Sequence, residues 1–464
     1  MSQSPKESGN KPNKYKRIVC CFDGTGNKPG QEVTMITQHT QDSEQVVYYQ
    51  PGIGFGSDSG LLSQLYATWD EMTAASIHNH VKEGYKFIAR SYTEKEKQKI
   101  YLFGFSRGAY VVRLLALMIA KIGILKPEHL TQMNIDLVFS SIQQCSSKNL
   151  QVCKDMCKLL TAACIEFIGL WDTVASTSFS SLGIKFFHHA LALDERRIRF
   201  TPELWNKPKL YVFQDLHDST ALSPSSLKKQ ENQWIFSPSN SSQCDIEEVW
   251  FAGCHADVGG GSSSQLSNIS LRWMIKECHK NGGLDFDQNY LHQTLHFKAD
   301  NQCQEADNKD SLEGHTNDEL KAMILWWILE IFIYFYIFHS QDQRWYLQIG
   351  PNLGQGWYTS FDGDGEVKIH QSVQYKRKHS PQHRDEAKAI VDKIEEYQRS
   401  IRAASGEEKK ELLRQQKEFI DKIGGSEQQY RYRARESSYQ PAARNWKDLQ
   451  KLDENDQQGL KWVN

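Results

Sequence analysis

Short apolar runs alternate along the first 280 residues with stretches whose apolar positions recur every three to four residues. Runs of this length, ended by glycine or polar residues, are typical of buried strands, and the recurring positions are typical of helices. Strands alternating with helices favour an α/β fold with a mostly parallel central sheet flanked by helices. We predict strands at 17–22, 46–49, 100–103, 164–170, 210–213 and 246–252, and helices at 77–89, 109–122 and 268–278.

Three further segments have less regular patterns. Residues 130–160 are polar and then helical, which indicates a helical insertion, and 187–200 hold a dense polar patch that we assign to a short helix with salt-bridged packing. Residues 382–423 are rich in Lys, Glu, Gln and Arg with sparse apolar positions, which predicts helices with a solvated face in a C-terminal extension. A hairpin turn is expected between 357–361 and 367–369.

Residues 323–338 form the most apolar stretch of the chain, with Glu330 in its middle. A membrane-spanning helix needs about 20 apolar residues, and this run is shorter. Three interpretations stay open: a helix buried on the core, an interfacial helix that touches a membrane or lines an acyl-chain pocket, and a true span. Peripheral membrane contact through this segment is therefore a candidate property.

Charge and cysteine content exclude some classes of function. The formal net charge is −2 with both signs mixed, so no nucleic-acid partner is expected. Of the ten cysteines, several lie in apolar settings, Cys164 among them, and we interpret them as reduced core residues. Cys153 and Cys157 have no completing ligands nearby, so neither a metal nor another cofactor is expected.

The N-terminal residues 1–17 are polar and lysine-rich without an apolar core of the Sec-signal type. We therefore expect the protein in the cytoplasm of the cell that makes it, either peripheral at membranes or exported by a specialised route.

The sequence Gly104-Phe-Ser-Arg-Gly108 stands between a predicted strand and a predicted helix. This arrangement is typical of a nucleophile elbow, in which a serine sits on a sharp turn and small residues are needed two positions to either side. We predict Ser106 as the nucleophile. The amide of Arg107, at the helix N-terminus, is a candidate oxyanion donor.

The loop Asp23-Gly-Thr-Gly-Asn27 follows the first strand directly. It is either an ordinary turn in which Asp23 caps local amides, or an oxyanion loop with the amide of Gly24 or Thr25 as second donor. It lacks the Gly-Lys-Ser/Thr ending of a Walker phosphate-binding loop.

Two further candidates follow strand ends in the chain order of a hydrolase triad. Asp172 comes just after 164–170 and His255 just after 246–252. The order serine, acid, histidine predicts that Asp172 orients His255, although a structural Asp that caps the following turn would give the same pattern. Asp257 is the rival acid and the better candidate for anchoring the glycine turn, so Asp23 and Asp257 are supporting candidates.

Five ordered motifs together resemble the α/β-hydrolase family that includes the phospholipase effectors of type VI secretion, the Tle-one-like group. The resemblance implies an α/β-hydrolase fold with nucleophile Ser106, acid Asp172 and histidine His255, and it implies phospholipase A-type hydrolysis of a lipid ester. The motifs are Phe22-Asp-Gly-Thr-Gly-Asn27, Gly104-Phe-Ser-Arg-Gly-Ala-Tyr110, Gly169-Leu-Trp-Asp-Thr-Val174, His189-Ala-Leu-Ala-Leu-Asp-Glu-Arg196 and Trp250-Phe-Ala-Gly-Cys-His-Ala-Asp-Val-Gly-Gly260.

Two alternatives to a lipid esterase remain at this stage. The same triad serves other acyl-ester or thioester hydrolases and acyltransferases, which differ in pocket shape. The fold could also be a catalytically silent binding module. We divide the chain into a disordered tail at 1–16, an α/β-hydrolase catalytic domain with insertions at 17–375 and a charged helical C-terminal extension at 376–464.

Overall fold

The central sheet has eight strands, and every neighbouring pair in it is parallel. Its strands are β1 Lys16–Phe22, β2 Gln45–Gln50, β3 Gln98–Phe105, β6 Ile165–Trp171, β7 Ile184–Ala192, β8 Asp245–Phe251, β11 Val367–His370 and β12 Leu460–Val463. The computed structural model describes residues 16–24, 45–52, 71–93, 97–143, 157–174, 183–205, 244–261, 265–281, 283–297, 300–322, 326–327, 330–331, 334–339, 345–350, 352–357, 366–423, 439, 441–443 and 460–463.

Helices and two small sheets complete the described part of the chain. The helices are α1 Glu71–Ser91, α2 Arg107–Ile122, α3 Gln132–Gln143, α4 His255–Gly259, α5 Leu266–Asn281, α6 Gln288–Gln293, α7 Asp300–Glu313, α8 Glu319–Ala322, α9 Gln371–Ala403 and α10 Gly406–Ile423. The small antiparallel sheets pair β4 Ile124–Leu125 with β5 Leu160–Thr161, and β9 Tyr334–His339 with β10 Trp345–Gly350. The predicted α/β fold with a mostly parallel sheet is confirmed.

Both faces of the sheet are covered, which explains the continuous apolar runs of its strands. Along β1, Ile18 and Cys20 pack into a core formed with α1 and α2, whereas Val19 and Cys21 pack into a second core formed with α5. Strands buried on one face only would alternate apolar and polar residues. The two cores hold the sheet rigidly between two helical layers.

The strand order in the sheet is β12-β11-β8-β7-β6-β3-β1-β2. Parallel strands end at the same edge, so the segments after β1, β3, β6 and β8 all lie at one edge of the sheet. This edge carries the predicted site residues Asp23, Ser106, Asp172 and His255.

The helix expected within 187–200 is wrong. Its first six residues, 187–192, belong to β7, and Ile198–Phe200 forms a single 3-10 turn. Strand β7 is central and buried, so its adjacent histidines His188 and His189 point to opposite faces instead of lying on a helix surface.

The prediction that 323–338 is a single helix is also wrong. Residues Trp326, Trp327 and Glu330 are helical, but Tyr334–His339 is strand β9. Consecutive aromatic and β-branched residues favour a strand over a helix, which accounts for the change along the run. Helices long and apolar enough to cross a membrane are absent from the described residues.

The C-terminal extension contributes to the main sheet. Strand β12 pairs with β11, and β11 pairs with β8 on its other side. Both neighbours of β11 in the sheet are parallel to it. The hairpin turn expected between 357–361 and 367–369 falls on 358–365, which lie outside the described residues, so it stays a prediction. The predicted boundary at residue 376 falls inside α9, and the division into domains stays a prediction.

Some predictions concern residues that the structure does not describe. They are the strand at 210–213, Cys153, Thr25 and, apart from Lys16, the tail at 1–16. Among the described cysteines, Cys20, Cys21, Cys244, Cys254 and Cys278 are buried without a disulfide, whereas Cys164 is exposed and not a core residue.

Candidate active site

Ser106 occupies a sharp turn between β3 and α2. Its φ is 57° and its ψ is −120°, a backbone conformation that residues other than glycine rarely adopt. The backbone is packed so closely there that a Cβ on Gly104 would lie 2.6 Å from the Gly108 carbonyl oxygen, and a Cβ on Gly108 would lie 2.2 Å from the Phe22 carbonyl oxygen. These contacts are the physical reason for the two glycines that flank the serine.

The end of β6 is hydrogen-bonded to the turn that carries Ser106. The Ser106 N–H donates to the Trp171 carbonyl oxygen at 3.0 Å. Because Asp172 follows Trp171, this bond joins the serine turn to the loop of the candidate acid.

The loop after β1 lies beside Ser106 but differs in detail from the expected oxyanion loop. A Cβ on Gly24 would lie 2.8 Å from Phe105 Cδ1 and 3.3 Å from Ser106 Cβ, so a side chain there would crowd the elbow. The Gly24 N–H donates to its neighbour Asp23 Oδ1 at 2.7 Å, and Asp23 Oδ2 accepts from the Tyr49 hydroxyl at 3.0 Å. Asp23 therefore caps a local amide, as the structural alternative had it.

Arg107 opens α2 directly after the serine, so its backbone N–H belongs to the first turn of the helix, where amides lack intrahelical acceptors. This amide is the described oxyanion candidate nearest the nucleophile in the chain. The Arg107 side chain is partly removed from solvent, and this burial lowers the pKa of its guanidinium to about 10.

The side chains of Asp172, after β6, and His255, after β8, are in contact past the end of β7, the strand between them. His255 Nδ1 lies 2.6 Å from Asp172 Oδ2, and the second carboxylate oxygen of Asp172 accepts the Ala192 N–H at 3.1 Å. Both side chains are buried. Carboxylate oxygens accept hydrogen bonds, so the tautomer that fits this contact has its N–H at Nδ1 and leaves Nε2 as an acceptor.

Two aromatic rings pack against the imidazole of His255. The Phe105 and Phe200 rings each have their centroid 4.7 Å from that of His255. Phe105 precedes Ser106, so its contact brings the imidazole to the elbow. In the described part of the chain His255 hydrogen-bonds Asp172 and Glu195 but not Ser106.

Asp257 does not contact the imidazole through a hydrogen bond. Its Oδ2 accepts the Cys254 N–H at 2.9 Å and the Asn317 N–H at 2.8 Å, and its Oδ1 accepts from Asn317 Nδ2 at 2.5 Å. It anchors the turn that carries His255, as its position in the sequence indicates.

The salt-bridged packing expected within 187–200 includes an ion pair whose position beside His255 the sequence does not reveal. Arg197 donates from Nε and Nη2 to the two carboxylate oxygens of Glu195 at 2.9 and 2.8 Å. Burial alone would raise the pKa of Glu195, but the Arg197 charge and hydrogen bonds hold that pKa below its ordinary value. The motif His189 to Arg196 was a signal for these residues, although it does not reveal what they touch.

The Arg197 guanidinium connects this ion pair to the apolar run. Its carbon lies 3.7 Å from the ring centroid of Phe200 and 4.8 Å from that of Trp326. Glu330, from the same run, is buried and accepts the Ile198 N–H at 2.6 Å. The run is therefore attached to the segment that packs on His255, and its acidic residue has a structural partner.

A metal site is not supported by the described residues, since they contain no group of three or more His, Cys, Asp or Glu side chains arranged to hold an ion. The geometry above is that of an elbow serine, an oriented imidazole and nearby amides, which together can carry out acyl transfer without a bound group.

A family model described as the catalytic domain of Tle1-like phospholipase effectors of the type VI secretion system matches residues 16–277. The chain belongs to this family. The similarity suggested by the five motifs is thereby confirmed. Family membership supports a phospholipase, that is, a hydrolase acting on lipid, as the class of enzyme.

Individual relatives are distant. The uncharacterized protein YEL023C of Saccharomyces cerevisiae is 24% identical over an alignment 571 positions long, which takes in 83% of this chain and 81% of the yeast protein. A crystal structure of an uncharacterized protein from Pseudomonas aeruginosa has 14% identity and a TM-score of 0.36, and the match covers 95% of this chain and 66% of that one. The structure of the Tle1 effector bound to the VgrG spike has 12% identity and a TM-score of 0.32, and the match covers 74% of this chain and 92% of that one.

Proposed function

We propose that the protein is a serine-dependent lipid ester hydrolase of the phospholipase A type that works through an acyl-enzyme. The observation that carries the proposal is the 2.6 Å contact between His255 Nδ1 and Asp172 Oδ2, beside a serine held at a strained elbow. A carboxylate that fixes the imidazole tautomer leaves Nε2 ready to accept a proton.

In the first half-reaction Ser106 Oγ attacks the ester carbonyl carbon and its proton moves to His255 Nε2. The tetrahedral intermediate collapses, the carbon–oxygen bond to the lysophospholipid breaks, and His255 returns the proton to the leaving oxygen. Water then attacks the acyl-enzyme, with His255 taking one of its protons and passing it to Ser106 Oγ as the fatty acid leaves. Asp172 stabilises the imidazolium in both halves.

The oxyanion formed in each half needs amide donors. We assign the Arg107 N–H as one donor, and the loop of Gly24 and Thr25 as the source of the second. Use of the Gly24 N–H requires it to leave Asp23 Oδ1, to which it donates at 2.7 Å.

Access for a lipid is the remaining requirement, and an apolar surface near the site supports it. Five large apolar side chains are exposed in the described part of the chain, and three of them, Trp327, Ile331 and Leu353, belong to one patch. Two contacts bring these residues together. The Leu353 N–H donates to the carbonyl oxygen of Glu330, the neighbour of Ile331, and Gly354 lies so close to the Trp327 ring that a Cβ there would be 3.1 Å from it. We propose that this patch contacts a phospholipid surface, with the protein otherwise in the cytoplasm or exported by a specialised route.

The deciding experiment uses purified full-length protein and glycerophospholipid vesicles. Wild type is expected to release fatty acid and lysophospholipid and to react with a fluorophosphonate probe, and Ser106→Ala is expected to do neither while keeping its thermal unfolding midpoint. Equal turnover by the two proteins would refute serine catalysis. An unlabelled, inactive wild type would favour a silent binding module, and preference for thioesters or acyl acceptors would favour another acyl-transfer reaction.

A further inference from the structure

Three consecutive backbone N–H groups at the catalytic histidine donate to three different buried carboxylates. Gly253 donates to Asp194 Oδ2 at 2.6 Å, Cys254 to Asp257 Oδ2 at 2.9 Å, and His255 to Glu195 Oε2 at 3.3 Å. We call Asp194, Asp257 and Glu195 the carboxylate clamp. A buried carboxylate is costly unless other donors satisfy it, so each member needs further partners.

Each carboxylate of the clamp is satisfied from a different part of the chain. Asp257 is bound by Asn317 and Glu195 by Arg197, as described above. Asp194 is bound by the C-terminal extension: the Tyr439 hydroxyl donates to Oδ2 at 2.8 Å and the Ala442 N–H donates to Oδ1 at 2.9 Å. Residues 439–443 lie well beyond residue 277, where the match to the catalytic family ends.

Asp194 binds a constrained point of the loop that precedes His255. Gly253 has a φ of 115°, which side chains disfavour, and a Cβ there would lie 2.6 Å from Asp257 Cβ. Asp194 binds this residue twice, because its own N–H donates to the Gly253 carbonyl oxygen at 3.1 Å while its carboxylate accepts the Gly253 N–H. Gly253 is two residues before His255, so the angle of this turn sets where the imidazole lies.

Burial makes the ionised form of Asp194 costly, so this carboxylate needs the hydrogen bonds from Tyr439 and Ala442. Burial raises the pKa of this carboxyl, while its hydrogen bonds from Gly253, Ala442 and Tyr439 act in the opposite direction. Loss of the Tyr439 hydroxyl would remove one of the three donors that favour the ionised, doubly accepting form. The carboxylate would then bind the Gly253 turn less firmly.

We propose that Asp194 and Tyr439 are positioning residues for His255, so that a part of the chain beyond the matched catalytic domain supports the catalytic unit. The inference rests on the proposed role of His255 as the base. Positioning groups of this kind act on the rate of the chemical step, because a small displacement of the base costs turnover without changing how substrate binds.

Tyr439→Phe tests the inference, with Tyr85→Phe as the matched control. The Tyr85 hydroxyl is hydrogen-bonded too: it donates to the Gly123 carbonyl oxygen at 2.9 Å and accepts the Leu125 N–H at 3.0 Å, but it lies on α1 away from the clamp. On a soluble short-chain ester we expect Tyr439→Phe to lower kcat about tenfold with KM unchanged and to slow fluorophosphonate labelling in parallel. Tyr85→Phe should lower only the unfolding midpoint.

Asp194→Asn is the second variant, since it keeps one acceptor oxygen and loses the other, and it should lower kcat more than Tyr439→Phe. If Tyr439→Phe and Asp194→Asn both keep the kcat of the Tyr85→Phe control while Ser106→Ala is inactive, the positioning role is refuted and the proposed function stands. If Ser106→Ala turns over substrate like wild type, the proposed function fails and the positioning role fails with it.

Discussion

His255 Nδ1 lies 2.6 Å from Asp172 Oδ2, although the two residues are 83 positions apart in the chain. Asp172 follows β6 and His255 follows β8, and β7 runs between these strands in the sheet. The pair therefore bridges the end of a buried strand, and its geometry depends on the registers of three strands rather than on a local turn. An imidazole held in this way has one tautomer and one orientation.

Replacing the acid separates orientation from packing. Asp172→Asn presents an amide to Nδ1 and favours the wrong tautomer, so we expect turnover of a short-chain ester to fall by about 10⁴. Asp257→Asn should instead lower the thermal unfolding midpoint, with a much smaller loss of turnover, because its partners are Cys254 and Asn317. If turnover ranks the two variants in the opposite order, the acid is Asp257.

Close packing at the elbow predicts a large effect from a single methyl group. A Cβ on Gly108 would meet backbone atoms of Phe22 and Asp23 at 2.2 to 2.7 Å, so Gly108→Ala must push α2 away from the end of β1. We expect a loss of about 3 kcal/mol or more in the free energy of unfolding, together with loss of activity. Gly283→Asn is the control, because Gly283 has a φ of 71°, which Asn tolerates, and nothing within 4 Å of its Cβ position. Equal unfolding midpoints for the two variants would contradict this account.

The site edge was predictable from sequence, whereas its supports were not. Ser106, Asp172 and His255 each follow an apolar run that had to be a strand, and parallel strands bring such ends together; their catalytic roles stay predictions. The polar residues of 187–200 suggest a helix, but His189 is accommodated in a buried strand by residues far away in the sequence, Glu248 and Thr173, which hydrogen-bond its ring. The bond from Tyr439 to Asp194 spans 245 positions and leaves no periodic signal.

A buried cluster outside the site predicts a pH dependence of stability. Arg272 binds both Asp307 and Asp310 at 2.6 Å. Burial, with a smaller effect of Asp310, raises the pKa of Asp307 to about 6 despite Arg272. The folded state thus favours the protonated carboxyl, so this stabilisation is complete below the ordinary pKa and is lost as pH rises through about 6.

Asp307→Asn removes this dependence. In wild type, the contribution of Asp307 to the free energy of unfolding should fall by roughly 1–2 kcal/mol between about pH 5 and pH 8. The unfolding midpoint of the variant relative to wild type should therefore be higher at pH 8 than at pH 5. Asp285→Asn, which removes a carboxyl from the exposed pair with Arg17, is the control. Parallel midpoints of wild type and Asp307→Asn across this range would show that Asp307 does not titrate there.

The exposed patch offers a test in which stability and activity move in different directions. Leu353 is 50% exposed and has a φ of 54°, so a bulky apolar residue is kept in a strained backbone conformation on the surface. Leu353→Asn relieves the strain, since Asn adopts this conformation readily, and should maintain or raise the unfolding midpoint. If the patch binds lipid, the same variant should nevertheless hydrolyse phospholipid vesicles several-fold more slowly, while turnover of a soluble short-chain ester is unchanged.

Neighbouring positions sharpen the comparison. Ile331→Ser, at a side chain that is 61% exposed, should behave like Leu353→Asn, whereas Met133→Ser, at an exposed apolar position on α3, should affect neither substrate. Trp326 packs against Phe200 with ring centroids 5.7 Å apart, and Phe200 packs on His255, so Trp326→Ser should slow both substrates alike. Vesicle hydrolysis and vesicle co-sedimentation measured on all four variants give the answer. If Leu353→Asn and Ile331→Ser match Met133→Ser on vesicles, the patch has no role at the membrane and lipid must reach Ser106 by another route.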